Sequence, residues 1–217
     1  MAIKHISLDF WNTIGIPNSA YALKRTELIA NVCDITYKCA AARYTKVKEY
    51  LDLSASEFGI SFTTERCWEI LLDAKLTRAQ IHEVKIKAQV LFLNNPPIIL
   101  NETIKEINRL KEKGITVSIG SNTNFIEGQT IVCVPEVYKL SHVSRSLSFS
   151  FFSDQLPVAK PHTDFFKRII DETNLLPEEI CHIGDSSVCD YWGAKHANLH
   201  AHLIEGAFEL PSILSKF

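Results

Sequence analysis

The chain has 217 residues, of which 46% are hydrophobic and 22% charged, and its formal net charge is -2. That length buries one good core with enough left over for a second lobe, and the composition excludes a disordered, collagen-like or membrane class. No basic block or stripe is present to drive counterion release, so no nucleic-acid partner is expected.

The N-terminal segment, MAIKHISLDF, places Lys4, His5 and Asp9 where an export signal needs an uninterrupted apolar stretch. No apolar run approaches the roughly 20 residues of a membrane-spanning helix. The six cysteines form no CxxC pair, as expected of reduced thiols in a cytoplasmic protein. Cys181, His182 and Cys189 can be drawn as a zinc site, but no second ligand pair at finger-like spacing accompanies them, and the structural reading is preferred.

Ile3 to Leu8 is a short apolar segment that stops at Asp9, which suits a strand feeding a loop. From about Pro17 to Asn95 the pattern is helical, with Ala40, Tyr44, Val47 and Leu51 in one stripe and Ile81, Val84, Ala88 and Leu91 in another. Pro96-Pro97 ends this block and forms a natural hinge. Leu100, Ile104, Ile107 and Leu110 predict a further helix, closed by lysines and Gly114. A second strand follows at Ile115, Val117 and Ile119, ending at Gly120-Ser121-Asn122. The stretch 125–146 gives no clear period, although parts around Ile131 to Tyr138 suit short helices. A third strand is expected at Leu147, Phe149 and Phe151, and a helix opening at Thr163. Ile180 to Ile183 forms a fourth strand, Asp190 to Ala197 a short helix, and His200 to Ile204 a fifth strand. This alternation argues for an α/β fold, an open Rossmann-like parallel sheet with helices on both faces and an all-helical insertion after the first strand. The expected division is a core of residues 1–15 and 96–217 and a helical domain of residues 16–95.

In such sheets the binding crevice lies beyond the carboxyl ends of the strands. Strand one ends in Asp9-Phe10-Trp11-Asn12-Thr13, strand two in Ser121-Asn122, and strand four in Gly184-Asp185, with Asp190 close behind; Lys160-Pro161 follows strand three. Singly, Asp9, Ser121 and Asp185 are explained as helix caps. Capping gives no reason for three carboxylates and a lysine to gather on one edge.

The segments ISLDFWNT, ITVSIGSNT, VAKPHTDFF and ICHIGDSSVCD resemble, in order, the four signature motifs of the haloacid dehalogenase superfamily. The resemblance implies a hydrolase with an inserted helical cap and a bound Mg2+. Asp9 would be the covalent nucleophile. Asp9, the backbone carbonyl of Trp11, and Asp185 would supply metal oxygens, with Asp190 an outer support or a further ligand. Lys160 would hold the nucleophile and offset charge, while Ser121 and the backbone of Phe10 to Thr13 would bind the transferring group, with Thr13 and Asn122 in support.

Phosphatases of this family usually carry a second aspartate two residues after the nucleophile; here that position is Trp11, whose indole donates a hydrogen bond but does not exchange a proton usefully near neutral pH. Three expectations follow. The leading one is a Mg2+-dependent phosphatase acting on a small phosphorylated metabolite with a good leaving group, or borrowing His162 or His182 as acid. The second is a 2-haloacid dehalogenase-type hydrolase with Arg43 or Arg25 contributed by the cap, and the third a weakly active ligand-binding or regulatory protein. A helical cap favours a small-molecule substrate. Tyr44, Phe58, Phe62 and Trp68 are expected mainly in its core. The chain is expected as a monomer or homodimer.

Overall fold

The computed structural model describes residues 2–72 and 76–217. The first apolar segment forms β1 (His5–Leu8), and a tight turn leads from it into a two-residue strand, β2 (Gly15–Ile16). Asn12 adopts a left-handed φ of 54° in this turn, a conformation that a short polar side chain tolerates. Four helices follow: α1 (Ser19–Cys33), α2 (Tyr37–Phe58), α3 (Thr64–Leu72) and α4 (Arg78–Asn94). Three open on side-chain caps, with Asn18, Thr36 and Thr77 accepting from the amides of Ala20, Cys39 and Gln80, so that first-turn donors are not left unpaired.

These helices bury their own apolar cluster, which includes Ile29, Ala40, Leu51, Trp68, Ile81 and Ala88. The two stripes expected from the sequence face it in part: Tyr44 and Val47 are only partly buried, and Leu91 packs against the sheet core instead. After Pro96-Pro97 the chain forms β3 (Ile98–Ile99), which pairs antiparallel with β2. The helical lobe therefore enters and leaves through one two-stranded ribbon, too short to leave a period in the sequence.

The remaining chain supplies α5 (Asn101–Glu112), β4 (Thr116–Ser121), α6 (Gly128–Ile131), α7 (Pro135–Tyr138), β5 (Phe149–Phe152), α8 (Thr163–Thr173), β6 (Ile180–Gly184), α9 (Gly193–His196), β7 (His200–Leu203) and α10 (Leu210–Leu214). Ile3, Ile115 and Ile204 fall just outside the strands expected to hold them, and two larger differences stand out. Leu147 lies outside the third main strand because its amide bonds to the Leu140 carbonyl, at 3.2 Å, at the end of a π turn over Lys139–Val143. The helix expected from Asp190 is instead a π turn, Ser187–Trp192, running into α9.

The five long strands form one parallel sheet in the order β5-β4-β1-β6-β7. In register, Leu8 of β1 lies beside Ile119 of β4 and Ile183 of β6, so these three strands end together. The chain leaves β1 toward β4 on one side and reaches β6 on the other, which makes this edge the topological switch point. Ile6, Leu8, Val117, Ile119 and Ile183 face one apolar cluster, while Phe165, Phe166, Ile169 and Ala194 form another.

The face of β1 opposite Ile6 and Leu8 carries His5 and Ser7, both buried and hydrogen-bonded. His5 shares bonds with Thr116 Oγ1 at 2.7 Å and Ser118 Oγ at 2.8 Å, and stacks on Phe149 at 5.2 Å between ring centres. Burial, reinforced by nearby His182, pushes its imidazole down to about 4. Among the described residues no helix is long and apolar enough to cross a membrane.

Candidate active site

Asp9 directly follows β1, and its amide donates to the Ile183 carbonyl at 2.9 Å, which ties it to the mouth between β1 and β6. Lys160 approaches from the connection after β5. Asn122, just beyond β4, clamps that connection from both sides: its Oδ1 accepts from the Lys160 amide and its Nδ2 donates to the Lys160 carbonyl, each at 2.9 Å. The Lys160 side chain is then buried with all three ammonium donors used. Nζ donates to Asp9 Oδ1 at 2.7 Å, to Asp190 Oδ1 at 2.6 Å and to the Gly120 carbonyl at 2.8 Å.

Asp190 fits under the end of β6 only because residue 184 is glycine, since a β-carbon there would stand 2.2 Å from Asp190 Cγ. Its Oδ2 accepts the Ser186 amide at 2.9 Å, and its Oδ1 also accepts from His182 Nε2 at 3.1 Å. A carboxylate only accepts, so His182 carries its proton on Nε2, leaving Nδ1 to accept from the Ser7 hydroxyl at 3.0 Å. Asp185 is half-buried at the rim, where Asn12 Nδ2 donates to its Oδ2 at 3.1 Å.

Ligand oxygens of Asp9, Asp185 and Asp190 lie within 4.8 Å of one another, the one such cluster among the described residues. Three carboxylates around one ammonium leave an excess of negative charge. Burial pushes the Asp9 carboxyl up to about 7 despite the pull of Lys160, and Asp190 and Asp185 add to the push. Burial also raises Asp185 against the hydrogen bond from Asn12. Asp190 goes the other way: burial favours its neutral form, but Lys160 and His182 outweigh burial and hold it below the usual carboxylate range. Burial depresses Lys160, yet Asp190 and Asp9 outweigh that effect and keep it firmly charged.

An all-oxygen donor set with excess negative charge suits a hard divalent cation. Lys160 occupies only one oxygen of Asp9, and Asn12 only one of Asp185, so these two retain ligand capacity. Asp190 already accepts three bonds across both oxygens and suits an outer supporting position.

These groups open onto a cavity of about 820 Å³ between the sheet and the helical lobe. Trp11 lines it, with its indole edge-on to Phe10 at 5.1 Å and to Phe92 of α4 at 5.9 Å. Asn122 also lines it, but both ends of its amide are committed to Lys160. Ser121 is fully buried below the cavity, its hydroxyl donating to the Asn122 carbonyl at 3.3 Å. Phe10 packs in the core, and its carbonyl accepts the amides of Ile14 and Gly15; the Asn12 amide is taken by Gly15. Thr13 is buried, with a hydroxyl that lacks a partner.

Neither histidine considered as a substitute acid lines the cavity. His182 is fully buried, and burial pushes its imidazole down, while His162 caps α8. Of the two arginines, Arg43 turns to the Cys33 sulfur at 3.5 Å, whereas Arg25 lines the cavity. Trp68 is lobe core as expected; Tyr44 and Phe62 pack against that core and also line the cavity, while Phe58 is exposed. Of the zinc alternative, Cys181 is a core residue whose thiol burial pushes up to about 12.

Sequence reasoning missed the brace from Asn12 to Asp185, although Asn12 stands in the first motif. It also missed Phe125, which reaches from the loop after β4 into the lobe core; Trp68 Nε1 and Gln89 Nε2 both donate to its carbonyl, at 3.0 and 3.1 Å. No local period marks such a residue.

A parallel sheet that gathers carboxylates and a lysine at its switch point defines an α/β protein with a hydrolase-type site. The chain belongs to the haloacid dehalogenase-like hydrolase family, whose model matches residues 3–198. It is 29% identical over 69 residues to haloacid dehalogenase-like hydrolase domain-containing protein 3 of Xenopus laevis, a stretch covering 32% of this chain and 28% of that protein. It is 30% identical over 74 residues to the rhythmically expressed gene 2 protein of Drosophila melanogaster, covering 33% and 28% respectively. The matched stretches thus span under a third of each relative.

Among solved structures, the HAD-hydrolase YfnB of Bacillus subtilis, bound to magnesium, superposes with a TM-score of 0.70 at 18% identity, over 99% of this chain and 100% of that one. A 2-haloacid dehalogenase from Pseudomonas syringae pv. Tomato DC3000 gives 0.65 at 15% identity over 99% of both chains. A HAD phosphatase from Thermococcus onnurineus gives 0.65 at 16% identity over 98% of both. At these identities the likeness is one of fold, and it spans both chemistries.

Proposed function

We propose that the chain is a Mg2+-dependent phosphohydrolase acting on a small phosphorylated metabolite, with Asp9 as covalent nucleophile and the helical lobe of residues 16–95 as its cap. The observation that carries this reading is the Asp9, Asp185 and Asp190 cluster around Lys160, because displacement of a halide from carbon needs no such cation site. Magnesium held by Asp9, Asp185 and the Trp11 carbonyl, with Asp190 in support, would neutralise excess negative charge and polarise the phosphoryl group.

The residues of the chain divide the remaining work. Lys160 holds Asp9 by Oδ1; Oδ2 attacks phosphorus, and Oδ1 keeps a second lone pair that would face the ion. As the Asp9–phosphorus bond forms, the leaving oxygen departs with the bonding pair and takes a proton from solvent; water then attacks phosphorus, which releases inorganic phosphate and regenerates the Asp9 carboxylate. Asn122 acts by setting the Lys160 backbone. Ser121 and Thr13 support the phosphoryl-binding loop from beneath it. The cap excludes water from the intermediate and shapes the space for the leaving group.

A second reading, a dehalogenase-type hydrolase, is favoured by Trp11, because halide leaves without a proton and an acid at that position is then unnecessary. The two separate in an assay of an activated aryl phosphate and a short 2-haloacid, each with Mg2+ and with chelator. Metal-dependent turnover of the phosphate alone removes the dehalogenase. Turnover of the haloacid alone removes the phosphatase, and silence on both supports a ligand-binding protein. In the phosphatase reading, Trp11→Asp restores an acid beside the leaving oxygen and speeds phosphates with poor leaving groups, toward the roughly hundred- to ten-thousand-fold that such assistance provides.

A further inference from the structure

Three adjacent strands turn polar side chains onto one buried face of the sheet beneath the site. Central strands of a parallel sheet are normally apolar on both faces, yet Ser7 of β1 stands in register with Ser118 of β4 and His182 of β6, and all three are fully buried. His182 links this face to the carboxylates, because Nδ1 accepts from the Ser7 hydroxyl at 3.0 Å while Nε2 donates to Asp190 Oδ1 at 3.1 Å. Phe166 stands edge-on to the imidazole, with ring centres 5.2 Å apart and planes at 81°, and fixes its tilt. The Ser7 hydroxyl has room because residue 120 is glycine: a β-carbon there would stand 3.0 Å from Ser7 Oγ. The carbonyl of the same glycine holds Lys160 Nζ.

His182 does not line the cavity, and the phosphoryl-transfer steps above leave it unused. Its one link to them runs through Asp190. Oδ1 of that carboxylate lies between two donors, Lys160 Nζ at 2.6 Å and His182 Nε2 at 3.1 Å. With the imidazole gone, Lys160 alone would hold Oδ1, and the carboxylate, Lys160 and Asp9 would lose their common alignment. We propose that His182 is a positioning residue for the reaction: its Nε2–H, favoured by the Ser7 hydroxyl at the other end of the ring, pins Asp190 and thereby sets Lys160, the aim of Asp9 and the geometry of the metal oxygens. The effect on rate rests on the phosphohydrolase reading; the chain Ser7, His182, Asp190, Lys160 and Asp9 does not.

The test compares His182→Gln, His182→Asn and His182→Leu in the whole protein. Glutamine reaches the Nε2 position and keeps a donor to Asp190, asparagine reaches only the Nδ1 position beside Ser7, and leucine keeps bulk alone. Mg2+ affinity by calorimetry and kcat on an activated aryl phosphate should both fall by about tenfold or more for leucine and asparagine, the range for groups that support a metal from outside. Glutamine should recover most of that loss. KM should stay near the wild-type value, because the cavity wall is untouched, and Ser7→Ala should lose a smaller part of kcat. In an Asp190→Asn background His182→Leu should add little, since the two act as one unit. In chelator, long-range 1H–15N spectra should show His182 protonated on Nε2; these spectra and the contrast of glutamine with asparagine decide the matter if His182→Leu does not fold. Glutamine no better than asparagine, Mg2+ affinity equal in all the proteins or absent from the wild type, full additivity with Asp190→Asn, or a proton on Nδ1 overturns the proposal. If no phosphate is turned over but Mg2+ affinity is still higher for glutamine than for asparagine, the positioning role stands and the phosphohydrolase reading falls.

Discussion

Replacing Lys160 with methionine keeps the length of the side chain and removes its charge. The ammonium is 1% exposed and holds Asp9, Asp190 and the Gly120 carbonyl at 2.7, 2.6 and 2.8 Å. Breaking a buried ion pair by deleting one partner costs about 3–5 kcal/mol, and the stranded carbonyl adds about 1 kcal/mol or more. The combined loss, roughly 4–6 kcal/mol, is a large part of the about 5–15 kcal/mol that stabilises a typical domain. The loss depends on pH, and its sign follows from which state binds more protons. Without the cation, both carboxyls in the folded protein titrate above their ordinary value of 3.8. The folded state then binds protons that the unfolded chain does not, so the variant gains stability as pH falls through those raised values, by up to about 1.4 kcal/mol per pH unit for each carboxyl. In the wild type Asp190 is held down and stays ionised throughout this range, so it takes no part in the gain. Urea denaturation in chelator at pH 8 and pH 5.5 should therefore show a wide gap between variant and wild type that narrows at the lower pH. A gap below about 1 kcal/mol at pH 8, the range of an exposed ion pair, or one that does not change with pH, would mean that Lys160 is not the cation holding these carboxylates together.

Asp185→Asn should weaken Mg2+ binding by more than about tenfold in calorimetry, the low end for groups that merely support a metal; unchanged affinity would place the ion elsewhere. Phe125→Ala should cost about 3–5 kcal/mol through the cavity left in the lobe core and raise hydrogen exchange in α3 and α4 together with the loop after β4. Exchange confined to the loop would show that Phe125 does not join the two parts. For His5, the folded value of about 4 lies below the ordinary 6.5. Its contribution is thus fully present above about pH 6.5 and disappears as pH falls through about 4, a total of about 3 kcal/mol. Urea midpoints for the wild type should decline across that window more steeply than for His5→Gln, and parallel profiles would acquit the imidazole.

What fails to show in the sequence follows from range. Trp11 and Asp185 lie at the ends of strands whose apolar pattern is local, so their place at the sheet edge could be read directly. Whether Trp11 borders the cavity or fills the core depends on Phe92, at the far end of the helical lobe. The same holds for Ser121 and Asn122, neighbours with similar chemistry on paper. The end of β4 turns one hydroxyl down into the core and commits the other side chain to the Lys160 backbone.

The amino-acid order by itself determined the alternation of strands and helices, the family, and the strand ends at which Asp9, Lys160, Asp185 and Asp190 stand, because hydrophobic period and turn chemistry act over a few residues. Only the tertiary structure decided which donors are spent and which are free. Lys160 is saturated by Asp9, Gly120 and Asp190, all distant in the chain, while Asp9 and Asp185 each keep an oxygen that neither Lys160 nor Asn12 occupies. Pairing depends on which distant groups packing brings within about 3 Å, and no local pattern encodes that distance.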